Sequence, residues 1–389
     1  MISRRTFTVA QACLVSGAAH AAKPSPPAPQ ETVLQVGPRR RVKTLKHAAR
    51  VVKPGTVVEV DAGTYAGDVA VWTQPDVSLR AVGGRVRLLA DGAAAEGKGI
   101  WVVRAPRMRV TGFDFEGARV PDRNGAGIRL DRGSLRVNDC RFLYNEMGLL
   151  TNNDPTTRLE VEGCEFGFNQ RPDGHNHNLY AGRIASLSVT GSYFHHARTG
   201  HLLKSRAAVN TIRYNRLTDE AGGTASYELE FPDGGLAIVL GNVIGQSADT
   251  ENRHMISFGA ESYHWTRNAL YLAHNTLIDP LGWGGIFLRV ARGPTTVMAV
   301  NNLLVGRGNF DTSGDVEFRN NLHATADDFV DMSRYDCRLR SSSRLIGRAA
   351  VVGEVAGTSL QPTAEYRHPR MVQVLENVTH NPGATQSIA

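Results

Sequence analysis

The chain has 389 residues, with 44 lysines and arginines against 37 acidic residues, a formal net charge of +7 and an isoelectric point of about 9.4. Hydrophobic residues make up 41% and charged residues 21%, a composition that excludes an intrinsically disordered chain. No apolar run reaches the roughly 18 residues of a membrane-spanning helix, and four cysteines are too few for a disulfide-built scaffold. The net positive charge is compatible with an anionic partner, but it does not distinguish between nucleic acid, anionic surfaces and acidic polysaccharide.

The N-terminus has the features of an export signal. Residues 3–7 read Ser-Arg-Arg-Thr-Phe, similar to the twin-arginine motif, and an apolar segment over 9–19 leads to Ala-His-Ala at 19–21. We therefore expect residues 1–22 to be a removable signal peptide and the protein to be periplasmic or secreted. Residues 23–32 are rich in proline and are expected to form an extended linker.

A short block recurs along the chain about every 20–30 residues, the spacing typical of repeat architectures. The first copies begin at Val110, Val137, Val161 and Val189. Apolar and polar residues alternate within each block, which predicts a β-strand. Because one such turn cannot bury its own apolar face, we predict that the turns stack into a parallel β-solenoid with a continuous core.

The fourth position of the block predicts side-chain ladders along the solenoid. Stacked amides at one turn position can satisfy one another's hydrogen bonds along the axis. Cys140 and Cys164 hold this position in two early blocks, where we expect buried thiols, with a disulfide between adjacent turns as the alternative. Asparagine holds it in the later blocks, at Asn215, Asn242, Asn275, Asn302 and Asn321.

Both ends of the repeat carry further signatures. Residues 43–52 place apolar side chains at helical spacing, which predicts a short helix that caps the open end of the solenoid. Val57–Tyr65 is predicted as the first strand, and Tyr335–Ile346 reads as a closing turn. Together with the repeat, these segments resemble the right-handed parallel β-helix of the pectate-lyase-like superfamily. The resemblance implies an all-β fold, a single-stranded right-handed parallel β-helix, over residues 33–350.

The segment after the β-helix is weakly patterned. Residues 351–389 are expected to be a C-terminal tail with one small strand at Arg370–Leu375. The fold class alone does not assign an activity, because β-helices of this kind include lyases, hydrolases, epimerases and adhesive shafts.

A second predicted strand follows each block, and its outward side chains are candidates for a functional groove. Leucine recurs at one position of these strands, as in Leu179, Leu203 and Leu229. If this position faces the core, strict alternation turns the neighbouring side chains outward. The predicted outward column comprises Asn178, Tyr180, Lys204, Arg206, Glu228, Glu230, Ser257, Phe287 and Arg289.

Acidic, basic, phenolic and imidazole side chains converge on the middle turns, a combination that suits β-elimination of a uronic-acid polymer. That reaction needs a group that neutralises the C6 carboxylate, a base that removes the C5 proton and an acid for the leaving glycosidic oxygen. The candidate catalytic residues are Lys204, Arg206, His201, Tyr180 and His177. The candidate substrate-binding residues are Asn178, His175, Glu228, Glu230 and Arg289.

The Lys-Ser pair at 204–205 is similar to a motif of β-helix lyases that act on alginate and chondroitin-type chains. Those enzymes have a lysine base, an arginine on the next turn and a Ca²⁺ ion held by asparagine and glutamate. The resemblance implies Lys204 as the base and Ca²⁺ held by Asn178, Glu228 and Glu230. The next strand has the two glutamates and no arginine, so Arg206 would have to serve instead.

Several alternatives stay open at this point. Glycoside hydrolysis needs two carboxyl groups that flank the bond, and C5-epimerisation shares the first proton abstraction with elimination. The candidate carboxyl groups for hydrolysis are Asp173, Glu228, Glu230 and Asp233. The charges could also form a structural ion-pair ladder on a β-helix that only binds polysaccharide.

The expected partner is an acidic polysaccharide. Nucleic acid is not expected, because the export signal argues against it and no groove with interleaved aromatic and basic residues is visible. We expect a monomer.

Overall fold

The computed structural model of the protein describes residues 32–171, 173–313 and 316–389. The expected signal peptide and all but the last residue of the linker lie outside these ranges. Strands account for 48% of the chain, and they wind into a right-handed parallel β-helix of about 10 turns. The expected fold is therefore confirmed.

Sheet A, the ten-stranded sheet, carries the candidate groove. Its strands pair in parallel from turn to turn, with Leu149 beside Leu179 and Leu179 beside Leu203. Its strands are Ala70–Trp72, Gly99–Val103, Ala126–Leu130, Met147–Thr151, His177–Ala181, His201–Ser205, Tyr227–Phe231, His254–Phe258, Ile286–Val290 and Asn309–Thr312.

The remaining β-helix strands form two columns, sheet B and sheet C, that bend into each other. Sheet B comprises Arg107–Thr111, Ser134–Asn138, Arg158–Glu162, Ser186–Thr190, Val209–Arg213, Leu236–Leu240, Ala269–Ala273, Thr296–Val300 and Val316–Arg319. Sheet C comprises Phe113–Glu116, Arg141–Leu143, Glu165–Gly167, Tyr193–His195, Arg216–Thr218, Val243–Gly245, Thr276–Ile278, Leu303–Val305 and Leu322–Ala324. Three strands precede them, Val33–Val36, Val57–Ala66 and Val77–Leu89.

Two side-chain ladders hold the turns in register. Rings of Phe115, Phe142, Phe166 and Phe194 stack in the core with centroids 5.0, 4.7 and 4.6 Å apart. The expected asparagine ladder is confirmed, because the backbone N–H of each asparagine donates to the side-chain oxygen of the next, as from Asn242 to Asn275 at 2.9 Å. Cys140 and Cys164 are buried free thiols.

The N-terminal end is covered by the one α-helix of the described residues, Leu45–Val51, which lies within the segment predicted to be helical. The Thr44 hydroxyl caps it by accepting a hydrogen bond from the His47 N–H at 3.1 Å. The Asp68 carboxylate accepts from two further N–H groups of the first turn. Leu45 is fully buried against the solenoid. None of the helices in the described ranges is long and apolar enough to span a membrane.

The C-terminal residues fold back along the outside of sheets B and C. Two 3₁₀ turns, Ala326–Asp328 and Met332–Arg334, lead into short antiparallel pairs. The pairs are Phe329–Asp331 with Asp336–Leu339, Glu354–Val355 with Thr358–Ser359, and Ala364–Arg367 with Met371–Val374. Arg370 ties the last pair to the bend between sheets B and C by donating to Asp139 at 3.0 Å. The small strand expected at Arg370–Leu375 is thus present as Met371–Val374.

Candidate functional site

The outer face of sheet A is built from the first and fourth residues of its five-residue strands. In the strand His177–Ala181, the rings of His177 and Tyr180 stack on this face with centroids 5.3 Å apart, while Asn178 and Leu179 between them are fully buried. Two consecutive side chains therefore point inward, and the strict alternation expected from the sequence is broken. The fourth position continues outward through Lys204 and Glu230 in the next two strands.

This break makes the predicted outward positions of Asn178, Glu228 and Phe287 wrong, because all three side chains are buried. The Asn178 amide donates to the carbonyl of His195 at 2.9 Å and accepts from the Asn169 amide at 2.7 Å, so its polar atoms are used inside the solenoid. Ser257 is buried too, but it holds the outward fourth position, between Glu230 and Arg289.

The buried Glu228 carboxyl has no hydrogen-bond partner for either oxygen. Burial and the negative charges of Asp219 and Asp279 raise the pKa of Glu228 well above its ordinary value of 4.5. The interior of the β-helix therefore favours the protonated, uncharged form of this carboxyl group.

The residues proposed for Ca²⁺ do not fit such a site. Asn178 and Glu228 face the interior, whereas Glu230 lies on the outer face and is ion-paired with Lys204 at 2.9 Å. A calcium ion needs six to eight oxygen ligands around one centre. Within the described ranges, histidine, cysteine and acidic side chains form no cluster of three or more that could hold a metal ion. The calcium ligand set implied by the resemblance is therefore wrong.

A continuous network of ion pairs lies on the outer face at the middle turns. Lys204 contacts two carboxylates, with Glu230 at 2.9 Å and Glu261 at 3.1 Å. Arg206 contacts the other oxygen of Glu261 at 2.6 Å and an oxygen of Asp233 at 2.5 Å. The Glu261 carboxylate is thus held between two cations, one to each oxygen.

The network continues beyond Arg206 to a residue that sequence reasoning missed. The Arg183 Nε donates to the second oxygen of Asp233 at 2.6 Å. Arg183 lies two residues after the strand His177–Ala181 and Arg206 lies directly after His201–Ser205, so both are at the same edge of sheet A. A charged residue within two positions of the end of a sheet A strand is the signal that could have identified Arg183.

The carboxyl groups of this network differ in proton affinity. Burial raises the pKa of Glu230 above its ordinary value, and Lys204 only partly offsets this shift. Burial also acts on Asp233 and Glu261, but the neighbouring cations outweigh it and lower the pKa of both carboxyl groups. The site therefore combines one carboxyl group whose pKa is raised with two whose pKa is lowered.

Two imidazoles stack beside this network. The rings of His177 and His201 have centroids 4.6 Å apart on adjacent turns. Burial, together with the nearby charges of Lys204 and Arg206, lowers the pKa of both rings below the ordinary 6.5. Both are therefore neutral at neutral pH, and the form that can accept a proton is populated.

The hydrogen bonds of the imidazoles distinguish their nitrogens. The backbone N–H of His201 donates to Nδ1 of His177 at 3.3 Å, so the neutral His177 ring carries its proton on Nε2. Nδ1 of His201 lies 3.2 Å from a Glu230 carboxylate oxygen, although the angle is not that of a formed hydrogen bond. The His201 side chain keeps 11% of its surface exposed.

The other residues predicted for the site, Tyr180, His175 and Arg289, lie at different distances from the ion-pair network and the two imidazoles. Tyr180 belongs to the network, because its hydroxyl accepts a hydrogen bond from the Arg206 Nε at 2.9 Å. His175 is exposed in the loop before Tyr180, where its Nδ1 lies 3.2 Å from the Asp173 carbonyl. Arg289 faces outward four turns from Tyr180 and makes no contact with the ion-pair network.

The fold and this geometry can be compared with known proteins. No family model and no curated protein matches the chain. The structure is similar to the crystal structure of pectate lyase Pel9A, with a TM-score of 0.58 and 13% identity over 84% of this chain and 95% of that chain. A PL6-family alginate lyase, AlyGC, aligns at a TM-score of 0.35 and 14% identity, and the alignment spans 57% of its length. At this identity the comparison shows the fold alone: the chain has the parallel β-helix fold that pectate lyase Pel9A has.

Proposed function

We propose that the protein is an exported enzyme that cleaves a uronate-containing polysaccharide by β-elimination in the groove on the outer face of sheet A. The observation that carries the proposal is the Glu261 carboxylate, which two cations hold beside a neutral imidazole. Lys204 and Arg206 each bind one of its oxygens. His201 and Lys204 both contact the Glu230 carboxylate, which places the imidazole next to Lys204. A uronate carboxylate in the same place would have its charge neutralised and its C5 proton made removable.

Neutralisation is the role that suits Lys204 and Arg206. Both side chains are mostly buried and already lie against carboxylates, where their charge acts at short range in a partly dry site. Arg206 also presents a planar fork of donors, the geometry that carboxylates bind. Lys204, expected to be the base, is engaged as an ion-pair donor, so we assign the base to a neighbouring group.

His201 is the proposed base. With its Nδ1 turned to the Glu230 carboxyl, the ring presents Nε2 as the nitrogen that takes the C5 proton. Glu230 then positions the ring and stabilises the imidazolium that forms. His177, which carries its proton on Nε2, supports the stack and can donate a hydrogen bond to the sugar.

Tyr180 is the proposed acid. Because its oxygen accepts from the Arg206 guanidinium, its own O–H remains free to donate. In the reaction the C5 proton goes to His201, the C5–H electrons form the C4–C5 double bond, and the C4–O bond breaks. The leaving oxygen takes the Tyr180 proton, and solvent restores both groups.

The test is incubation of the secreted protein with polygalacturonate, alginate, hyaluronan and chondroitin sulfate, followed by the ultraviolet absorbance of the unsaturated uronate. We expect absorbance to grow with one of these polymers. His201→Gln should lose turnover and keep polymer binding, while His254→Gln, at the same strand position two turns away, should retain both. Binding without any product would leave a polysaccharide-binding scaffold and contradict the proposal.

Glycoside hydrolysis is the second candidate, and the contrasting carboxyl groups favour it. Glu230, with its raised pKa, is suited to donate a proton, whereas Asp233 stays ionised as a base or nucleophile requires. New reducing ends without ultraviolet absorbance in the same incubation would identify hydrolysis.

Export and a monomeric state belong to the same proposal. The twin-arginine sequence supports export, and cleavage near residue 22 is the expected processing. N-terminal sequencing of the mature protein tests the cleavage site, and light scattering tests the monomer. Retention of the first residues in a cytoplasmic protein would contradict export.

A further inference from the structure

We infer that Glu261 occupies the subsite of the substrate carboxylate and competes with that carboxylate for Lys204 and Arg206. The inference rests on the proposed function, because it concerns the same pair of cations. Its basis is the contact geometry: one oxygen lies 3.1 Å from the Lys204 Nζ and the other 2.6 Å from the Arg206 Nη2. The Glu261 carboxylate bridges the two cations through separate oxygens, and the carboxylate of a bound uronate could make the same two contacts.

The charged residues around the subsite explain why the contact of Glu261 with Lys204 and Arg206 would affect substrate binding. Arg183, Lys204 and Arg206 face the carboxyl groups of Asp233, Glu230 and Glu261 in one network. The cations are thus matched by the protein's own acids, and the groove has little excess positive charge to attract a polymer. An incoming carboxylate that replaces Glu261 restores both ion pairs, whereas a neutral sugar leaves the two cations without that partner.

Hydrogen bonds hold the backbone around Glu261 in place. Replacement of Glu261 by a substrate carboxylate would therefore need movement of the Glu261 side chain only. The N–H groups of Glu261 and Ser262 both donate to the Pro232 carbonyl, at 3.0 and 2.9 Å. The Tyr263 hydroxyl donates to the Ala291 carbonyl at 2.6 Å, and the Trp265 ring N–H to the Arg206 carbonyl at 3.1 Å.

The Glu261 side chain differs from its partners in exposure. It is 49% exposed, against 12% for Lys204 and 15% for Arg206. Rotation of this side chain into solvent leaves the cations in position and opens the subsite. Asp233, by contrast, is 1% exposed and tied to Arg183 as well, so it stays with Arg206 when Glu261 leaves.

The experiment compares Glu261→Gln with a charge-matched control. Glu160→Gln removes an equally exposed carboxylate on sheet B, which lies 3.7 Å from Arg136 and outside the groove. Affinity electrophoresis measures the Kd of each variant for polygalacturonate, alginate and the neutral glucan dextran. Steady-state kinetics are measured in parallel on the polymer that gives turnover.

Glu261→Gln should bind the acidic polymer about fivefold more tightly, the affinity ratio expected from losing a competing, half-exposed ion pair. Its KM should fall by a similar factor at nearly unchanged kcat. The preference for acidic polymer over dextran should persist, because Lys204 and Arg206 remain. Glu160→Gln should match the wild type. Glu261→Ala should follow Glu261→Gln, and thermal melting confirms that both variants fold.

Two results would overturn the inference. Weaker or unchanged binding of Glu261→Gln relative to Glu160→Gln would show that Glu261 does not compete for the subsite. A large loss of kcat at constant KM would make Glu261 part of the reaction. Failure of the proposed function gives a different result: the wild type then yields no unsaturated product from any polymer. The Kd values of the two variants can still be compared in that case, and they test the subsite independently of turnover.

Discussion

Arg206 donates a hydrogen bond from its Nε to the hydroxyl oxygen of Tyr180, at 2.9 Å, across two adjacent turns of sheet A. The same guanidinium binds Asp233 and Glu261 through its other two nitrogens. One side chain therefore links the proposed acid to the subsite for the substrate carboxylate. The contact fixes the phenol oxygen as an acceptor and leaves its proton for the substrate.

Tyr180→Phe removes this proton and little packing volume. We expect kcat to fall by about 10²–10⁴-fold, the usual contribution of a positioned acid, with a small change in KM. Tyr271→Phe, on sheet B and away from the groove, serves as the control. Wild-type kcat in Tyr180→Phe would remove Tyr180 from the mechanism.

The acidic limb of the pH profile should lie below the ordinary histidine value of 6.5. Burial and the charges of His177, Lys204, Arg206 and His175 lower the pKa of His201, so the neutral, active ring persists as the pH falls. Activity is lost only when the pH passes this lowered pKa. The measurement is kcat/KM against pH, which reports the free enzyme. A loss of activity already above 6.5 would argue against His201 as the base.

Glu228→Met should stabilise the protein, and more so at alkaline pH. The folded-state pKa of Glu228 is raised, so its contribution to stability is intact below the unfolded value of 4.5 and is lost as the pH rises through the folded value. Its column neighbours Leu202 and Met255 are apolar and buried, so methionine suits the space. We expect a gain of about 1–3 kcal/mol at a pH of about 8 and a smaller gain at about 5.

Denaturant unfolding of Glu228→Met and wild type at both pH values measures this difference. The control is Glu160→Met, an exposed carboxylate whose removal should change stability little at either pH. Equal effects of Glu228→Met at the two pH values would contradict a buried neutral acid.

Asn242→Ala should break the asparagine ladder at its second, fully buried member. The Asn242 side chain accepts from the backbone and side-chain N–H groups of Asn215 at 2.9 and 3.0 Å, and donates to the Ile212 carbonyl at 2.8 Å. These groups are buried and would lose their partner, at a cost of about 2–4 kcal/mol in unfolding free energy. Asn321→Ala, at the less buried end of the ladder, should cost less because water replaces the bonds. Equal losses at the two positions would contradict this account.

The repeated sequence block made the β-helix predictable from the sequence. The broken alternation in the sheet A strands was not predicted, and part of the site was therefore placed on the wrong face. Asparagines at equivalent positions in successive turns had to stack, and Asn242 and Asn275 do so. Alternation failed at Asn178 because the second and third residues of the five-residue sheet A strands are both buried. The signal was present in other turns, where this position is occupied by Gly148 or Phe287: a Cβ at Gly148 would lie 2.2 Å from the Asn178 carbonyl oxygen.

The contacts between distant loops were beyond sequence reasoning. Glu261 lies 57 residues from Lys204 and 55 from Arg206, and only the stacking of turns brings them together. The sequence indicated which ionisable residues gather in the middle turns. It did not indicate that Lys204 is engaged by two carboxylates, because that depends on the path of the loop after the strand His254–Phe258.

The most direct test of the central claim is the mass of the oligosaccharides that the wild-type protein releases from the uronate polymer it attacks. Elimination between Lys204, Arg206 and His201 predicts products with an unsaturated non-reducing end, each lighter by one water than the corresponding hydrolysis product. Arg206→Met should release none of them, because the substrate carboxylate loses its fork of donors. Saturated oligosaccharides from the wild type, or unsaturated ones from Arg206→Met at the wild-type rate, would contradict the account.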